Sequence, residues 1–388
     1  MDYNKKSLEL HEKHNGKLGI VSKFKIENKD DLSIAYTPGV AAPCKEIEKN
    51  PEDVYKYTIK RNTIAVVTDG SAVLGLGNIG AEASIPVMEG KAVLLKKFAD
   101  VDAFPICLKT QDVDEIVKIV ENIEPVFGGI NLEDISAPRC VEIERILNEK
   151  LNIPVFHDDQ HGTAIVVLSA LINALKVVKK DKKIVKTIIN GAGAAGGAIA
   201  KMLHQYGFEN IIMCDKQGIL NKENTKDLWY QAKLTNFTNC KNLSGTLENA
   251  FKDADIFIGV SGPNLVSSDM IQSMNKDAII FAMANPIPEI MPEEARRAGA
   301  KVVGSGRSDF VNQVNNVLAF PGIFRGALDA KATCINEEMK LAAAEAIASL
   351  IGDELDENHV IPSVLDDRVV KIVADAVYNA AVKSNVAR

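Results

Sequence analysis

Several protein classes are excluded by what this sequence lacks. Its six cysteines, Cys44, Cys107, Cys140, Cys214, Cys240 and Cys334, are scattered, with no CxxC pair and no histidine at zinc-finger spacing. That scatter predicts reduced thiols in a cytoplasmic protein, not a disulfide framework. The first residues, MDYNKKSLELHEKHNGKL, contain no apolar run, so no secretory leader is expected. No block of five or six like charges is present, and a net charge of −7 argues against a nucleic-acid surface. The densest basic run, KKDKK (179–183), reads as a solvated loop. The longest apolar stretch, AIVVLSALINALKVV (164–178), carries Ser169 and Asn173 and falls short of the roughly 20 residues of a membrane span, so it predicts a buried helix and no membrane partner. Repeats and low-complexity segments are also missing.

What is present is an alternation of strands and helices. Residues 1–60 read as helix and loop. TIAVVT (63–68), AFPICL (103–108), VFGGINL (126–132) and IPVF (153–156) read as strands, with helices near 89–98, 111–123, 137–151 and 162–179 between or after them. KIVKTIIN (183–190), NIIMCD (210–215), ADIFIGV (254–260), AIIFAMAN (278–285) and KVVGSG (301–306) form a second series of strands, and two amphipathic helices (331–351 and 366–385) close the chain. This is an α/β chain with a parallel sheet covered on both faces. A domain boundary is expected between 160 and 180. Residues 1–160 would form a substrate- and metal-binding domain, and 161–388 a Rossmann-type doubly wound domain with C-terminal helices.

The pattern G-x-G-x-x-G occurs twice, as GLGNIG (75–80) and GAGAAG (191–196). In the second, a strand runs straight into Gly191, a helix follows Gly196, and the next strand ends in Asp215, roughly 20 residues on, where the ribose-binding acid of a Rossmann unit belongs. Gly191, Ala192, Gly193, Ala194, Ala195 and Gly196 are therefore the expected pyrophosphate loop, with Asp215 and Lys216 near the adenosine ribose. In the first, TDGSAVL separates strand from loop and Pro86 interrupts the following helix. That loop reads as part of the substrate domain.

Two adjacent acid pairs, Glu133–Asp134 and Asp158–Asp159, each follow a strand-like run. If those strands are parallel neighbours, both pairs emerge at the carboxyl edge of one sheet, where α/β sites lie. Converging carboxylates without cysteine suit a hard divalent cation, Mg²⁺ or Mn²⁺. On spacing alone, helix capping by the same acids is an equal reading. His157 and His161 flank the second pair, and His157 reads equally as a packed residue or a ligand.

AYTPGV (35–40), TDGSAVLGLGNIG (68–80), EGK (89–91), INLEDI (130–135), FHDDQHGTA (156–164), GAGAAG (191–196), AMANPIPEI (282–290) and NNVLAFPGIFRGAL (315–328) together resemble, in order, the signature stretches of the malic enzyme family in its short bacterial type. The resemblance covers most of the chain. It implies metal-dependent oxidative decarboxylation of (S)-malate to pyruvate and CO₂ with reduction of NAD⁺ or NADP⁺, by a homodimer or higher homo-oligomer. It assigns Tyr36 as general acid, Lys91 as general base, Asp158 as the partner of Lys91, and Glu133, Asp134 and Asp159 as metal ligands. Asn285 would line the nicotinamide–substrate cleft, and Asn315 or Asn316 would hold a substrate carboxylate. One departure stands out. Large eukaryotic members carry an arginine after TDG, and Ala72 stands at that position here.

The chemistry fits those residue types. Oxidising a 2-hydroxy acid needs a hydride acceptor and a base for the hydroxyl proton, and lysine serves as a base only when burial or cations depress its pKa. A divalent ion chelated by the hydroxyl and carboxylate favours the alkoxide and the later loss of CO₂. Three alternatives stand beside this reading: a malolactic-type enzyme with lactate as product, an amino-acid dehydrogenase, which needs no metal, and a non-catalytic nucleotide-sensing module.

Overall fold

The computed structural model describes residues 2–73 and 75–388. Four parallel strands, β1 (Thr63–Thr68), β2 (Asp102–Cys107), β3 (Gly129–Leu132) and β4 (Val155–His157), form a first sheet in the order β2-β1-β3-β4. A second sheet contains β5 (Lys186–Asn190), β6 (Asn210–Asp215), β7 (Gly218–Ile219), β8 (Ile256–Gly259), β9 (Ala278–Ala282) and β10 (Ala300–Ser305) in the order β10-β9-β8-β5-β6-β7. All its pairings are parallel except that of the short β7 on β6. The strand order reverses between β5 and β8, and ligands of open α/β sheets bind at such a reversal. Pro105, which offers no N–H to a ladder, lies on the edge strand β2, where that lack is tolerated.

The helix Asp158–Val178 joins the two sheets. It starts four residues earlier than the apolar pattern suggests, so both aspartates sit in its first turn. At 21 residues it is long and apolar enough to cross a membrane by composition, yet most of it is buried in this chain. It packs on the helices Ala194–Tyr206 and Glu337–Ser349. One continuous apolar core runs from Ile64, Met88 and Leu95 beside the first sheet, through Ile165 and Leu168, to Ile189, Ile258 and Phe281 of the second. Asn173, in the middle of the apolar run, donates to the carbonyls of Ala348 and Val360.

One detail differs from the sequence expectation, and one helix falls where that reading placed no element. Pro86 does not interrupt its helix, which runs unbroken from Gly80 to Ala99. Proline's fixed φ is helical; its cost here is one missing hydrogen bond and crowding of the Glu82 carbonyl by its ring, and the helix persists with Met88, Ala92 and Leu95 buried beyond it. The glycine-bearing stretch FPGIFRGALD is a helix, Phe320–Asp329, almost wholly buried. A Cβ on Gly322 would lie 2.6 Å from the Val373 side chain, and one on Gly326 would lie 2.4 Å from the Ala374 carbonyl. These glycines are the surface on which the C-terminal helix Arg368–Lys383 lies.

Candidate active site

The neighbouring strands β3 and β4 pair Leu132 with His157. That register delivers the two acid pairs to one point. Glu133, Asp134 and Asp159 each bring a carboxylate oxygen within 4.8 Å of the others. Asp134 has a positive φ of 52°, which lets its backbone N–H reach the Asp159 carboxylate at 2.8 Å. Its Oδ2 is buried with no hydrogen-bond partner. Ionised together, carboxylates this close would repel by on the order of 3 kcal/mol per pair at an effective dielectric of about 20. Burial, then the neighbouring acids, push Asp134 up to about 9. Glu133 and Asp159 are raised as well, by burial first. An all-oxygen, acid-rich cluster with an orphaned buried oxygen fits a hard divalent cation.

Lys91, from the middle of the helix Gly80–Ala99, stands directly behind these acids. Its ammonium donates to Asp158 at 2.6 Å, lies 2.9 Å from Glu133, and sits 4.2 Å above the Phe320 ring. Burial by itself would lower its pKa. Asp158, Glu133 and Asp159 outweigh that and hold it well above the ordinary lysine value. The lowered pKa expected of a lysine base is therefore not produced by this chain's residues alone; the carboxylate field must first be offset. Asp158 is pushed up to about 8 by burial, with Glu133 adding to the rise and Lys91 opposing it. Its Oδ2 also accepts from Asn316. A Cβ at position 162 would lie 1.9 Å from Asp158 Oδ1, so glycine there makes room for the carboxylate.

The turn that carries these aspartates is held from below. Glu144 accepts from the His157 N–H at 2.8 Å and contacts Gln160 and His161 at 3.2 and 2.9 Å, and Lys340 reaches the other side of the His161 ring. Burial would raise Glu144, but His161, Lys340 and His157 hold it down at about 2. His157 is fully buried, its Nδ1 lies 3.9 Å from Asp159 Oδ2, and it is not one of the three residues whose carboxylate oxygens converge.

A cleft of about 570 Å³ opens in front of the acids. Ala72, Asp134 and Asp159, the loop residues Gly193, Ala194 and Ala195, and the asparagines Asn285, Asn315 and Asn316 all line it. Asn315 accepts from the Val317 N–H and starts a 3₁₀ turn, while Asn285 donates weakly to the Met283 carbonyl at 3.4 Å. A larger cavity of about 830 Å³ continues past Gly191, Ala192 and Gly193 to Asp215 and Lys216. The helix Ala194–Tyr206 begins at Gly193, presenting its free N–H groups to that junction. A Cβ at Gly193 would meet nothing within 4 Å, whereas one at Gly196 would lie 1.7 Å from the Gly191 carbonyl. The loop is thus open toward the cavity and tight behind, as pyrophosphate binding requires.

Tyr36 is outside this assembly. It caps the helix Lys29–Ala35, is 68% exposed, and is not among the residues lining the cleft. The structure also shows supports that no sequence pattern singled out. Arg139 ties Asp69, Ser71 and Ser136 together at the cleft edge. Glu289, fully buried, accepts from the N–H groups of Ser261 at 3.0 Å and Ala284 at 3.1 Å, both cleft-lining residues. Glu289 lies inside a quoted motif, but nothing in the motif says what an acid beside Pro288 would bind.

Residues 15–148 match the malic enzyme N-terminal domain, and residues 160–382 match the malic enzyme NAD-binding domain. The chain is 58% identical to the bifunctional malic/malolactic enzyme of Bacillus subtilis over all of this chain and 95% of that protein. It is 55% identical to the NAD-dependent malic enzyme of Geobacillus stearothermophilus, over 96% of this chain and 78% of that one. The crystal structure of malic enzyme from Pyrococcus horikoshii superposes with a TM-score of 0.95 at 48% identity, covering 99% of this chain and 92% of that one. With acids at the edge of one sheet lining a cleft that the glycine loop of the other sheet also lines, a buried lysine behind them, and both domains matched along nearly the whole chain, this protein belongs to the malic enzyme family.

Proposed function

We propose that this protein oxidises (S)-malate to pyruvate and CO₂ with reduction of NAD(P)⁺. The observation that carries this is the cleft lined by Asp134 and Asp159 together with Gly193, Ala194 and Ala195 of the nucleotide loop, with Glu133 and Lys91 packed behind the two aspartates. Lys91 takes the hydroxyl proton as hydride leaves C2 for the nicotinamide, the C4 carboxylate departs as CO₂, and C3 of the enol is protonated to give pyruvate. One proton is taken and one returned. A divalent cation held by Glu133, Asp134 and Asp159 would polarise the substrate oxygen and offset the charge that keeps Lys91 protonated. With Ala72 at the cleft edge, the second substrate carboxylate has Asn285, Asn315 and Asn316 within the same walls.

The test is absorbance of reduced nicotinamide with malate and Mn²⁺, comparing NAD⁺ with NADP⁺. NAD⁺ is expected to win in kcat/KM, because Asp215 accepts from a ribose 2′-OH but repels a 2′-phosphate, with Lys216 offsetting part of that repulsion. Asp215→Ala should shift the NADP⁺/NAD⁺ ratio by about tenfold toward NADP⁺, the size of a ~1.4 kcal/mol repulsion near a wet surface. A wild-type preference for NADP⁺ contradicts this. A second reading, malolactic conversion with NAD recycled on the enzyme, is compatible with the bifunctional malic/malolactic activity of the Bacillus subtilis relative. It predicts lactate without net reduced nucleotide.

Tyr36 acts as the acid at C3, we infer, in the cleft of a second copy. The helices Tyr3–His14, Lys29–Ala35 and Ala41–Lys49 bury no residue, and Ile20, Val21, Phe24 and Ile34 are each at least 67% exposed. So much apolar surface marks an interface, and a two-fold pair would place each Tyr36 on its neighbour. Tyr36→Phe and Lys91→Ala proteins, each inactive alone, should on subunit mixing regain about a quarter of wild-type activity. Half of the dimers are then hybrids with one complete site of two. No recovery after verified exchange means Tyr36 does not act across the interface.

A further inference from the structure

Glu289 is a buried carboxylate that the reaction does not use. Among the described residues no lysine, arginine or histidine forms an ion pair with it, and its side-chain partners include the backbone N–H groups of Ser261 and Ala284. Burial raises its pKa, and those backbone bonds oppose the rise. The site is built around it: a Cβ on Gly259 would lie 2.4 Å from the Glu289 carboxyl carbon.

The two peptide groups that donate to Glu289 belong to the loops after β8 and β9, at the carboxyl edge of the second sheet. In a trans peptide the carbonyl points opposite to the N–H. The Val260 and Met283 carbonyls are therefore turned away from Glu289. A Cβ on Gly191 would lie 2.6 Å from the Val260 oxygen, and one on Gly306 would lie 3.0 Å from the Met283 oxygen. The oxygens thus point toward the nucleotide loop and the cleft wall. A buried negative charge and two peptide dipoles aligned with it present their negative side to the same space. Ser261 lines both the cleft and the larger cavity, so a dinucleotide with its pyrophosphate at Gly191–Gly196 runs its nicotinamide end past these loops.

Resting on the reading that this cleft receives the nicotinamide, we propose that Glu289 is a positioning residue whose charge makes the protein bind the oxidised, cationic ring more tightly than the reduced, neutral one. Such a field favours NAD⁺ loading and eases departure of the reduced product. A purely structural brace would change the affinity of both forms alike.

The experiment measures Kd for NAD⁺, NADH and ADP-ribose by calorimetry on the full protein. In wild type, NADH must bind; if it does not, the nucleotide reading itself fails. E289Q and E289M are neutral replacements of different shape, and either one that folds carries the test. Each should raise the ratio Kd(NAD⁺)/Kd(NADH) by about 5- to 10-fold, the effect of a unit charge roughly 12–17 Å away at an effective dielectric near 20. ADP-ribose, which lacks the nicotinamide, should change less than NAD⁺ does. E289D keeps the charge and should leave the ratio within about twofold of wild type, whatever it does to absolute affinity. Equal weakening of NAD⁺ and NADH in the neutral variants, or a ratio shift in E289D as large as theirs, overturns the proposal.

Discussion

Lys91→Ala is expected to slow malate oxidation by about 10²- to 10⁴-fold, the usual loss when a general base is removed. The side chain is held by Asp158 at 2.6 Å and Glu133 at 2.9 Å, with the Phe320 ring against it. Removing one member of a buried ionic cluster also costs stability, on the order of 3–5 kcal/mol, so alanine alone confuses a chemical loss with a structural one. Lys91→Arg separates them. A guanidinium keeps the positive charge between the two acids but stays protonated through any accessible pH. It should fold, bind NAD⁺ with wild-type affinity, and still turn over at least 100-fold more slowly. Turnover by Lys91→Arg within tenfold of wild type would mean that Lys91 serves as a counter-charge and that the base lies elsewhere.

Asp159→Asn should have opposite effects on metal affinity and on the stability of the metal-free protein. Mn²⁺ affinity, followed by titration, should fall by at least about 100-fold, beyond the 10- to 100-fold typical of an outer-shell partner. Activity should disappear with a chelator in wild type and return with Mn²⁺ or Mg²⁺. In the metal-free state, however, the variant should melt higher than wild type. Asparagine keeps an oxygen for the Asp134 N–H while removing the charge that helps push Asp134 and Glu133 up, against the loss of its attraction to Lys91. Relief of one or two repulsions, about 3 kcal/mol each before screening, corresponds to a rise of several degrees for a chain this size. If calorimetry with chelator shows the variant no more stable than wild type, the acids are not under the repulsion described, and the case for a cation among them weakens.

The strands were legible because each is a short apolar run bounded by turn residues, and NIIMCD coincides with β6 from end to end. The helix Phe320–Asp329 was not, because two glycines and a proline lower helix propensity, and only the Val373 and Ala374 contacts explain why glycine is wanted there. Local spacing also suggested that the two acid pairs share a sheet edge, and the Leu132–His157 register agrees. Lys91 with Asp158, 67 positions apart, and Arg139 with Asp69, 70 apart, carry no local pattern at all. The first pair was reached only through family resemblance, and the second was missed. Tyr36 shows a further limit: its motif is plain in the sequence, but one copy of the chain leaves it on the outside.

The helix Asp158–Val178 opens with Asp158, the partner of Lys91, and Asp159 of the carboxylate cluster, then becomes the apolar spine against which the nucleotide-binding layer packs. Dissecting the chain into modules is therefore not a matter of finding a loop between a catalytic half and a nucleotide half. A cut just before the helix strips Asp158 and Asp159 from Glu133 and Asp134. A cut just after it uncovers the apolar flank of the helix Ala194–Tyr206. Swapping in a Rossmann unit of another cofactor preference would have to keep this helix with the recipient's first sheet and match its far side to the donor. A graft joined at a conventional linker position would place the acids and the nucleotide on separately moving bodies.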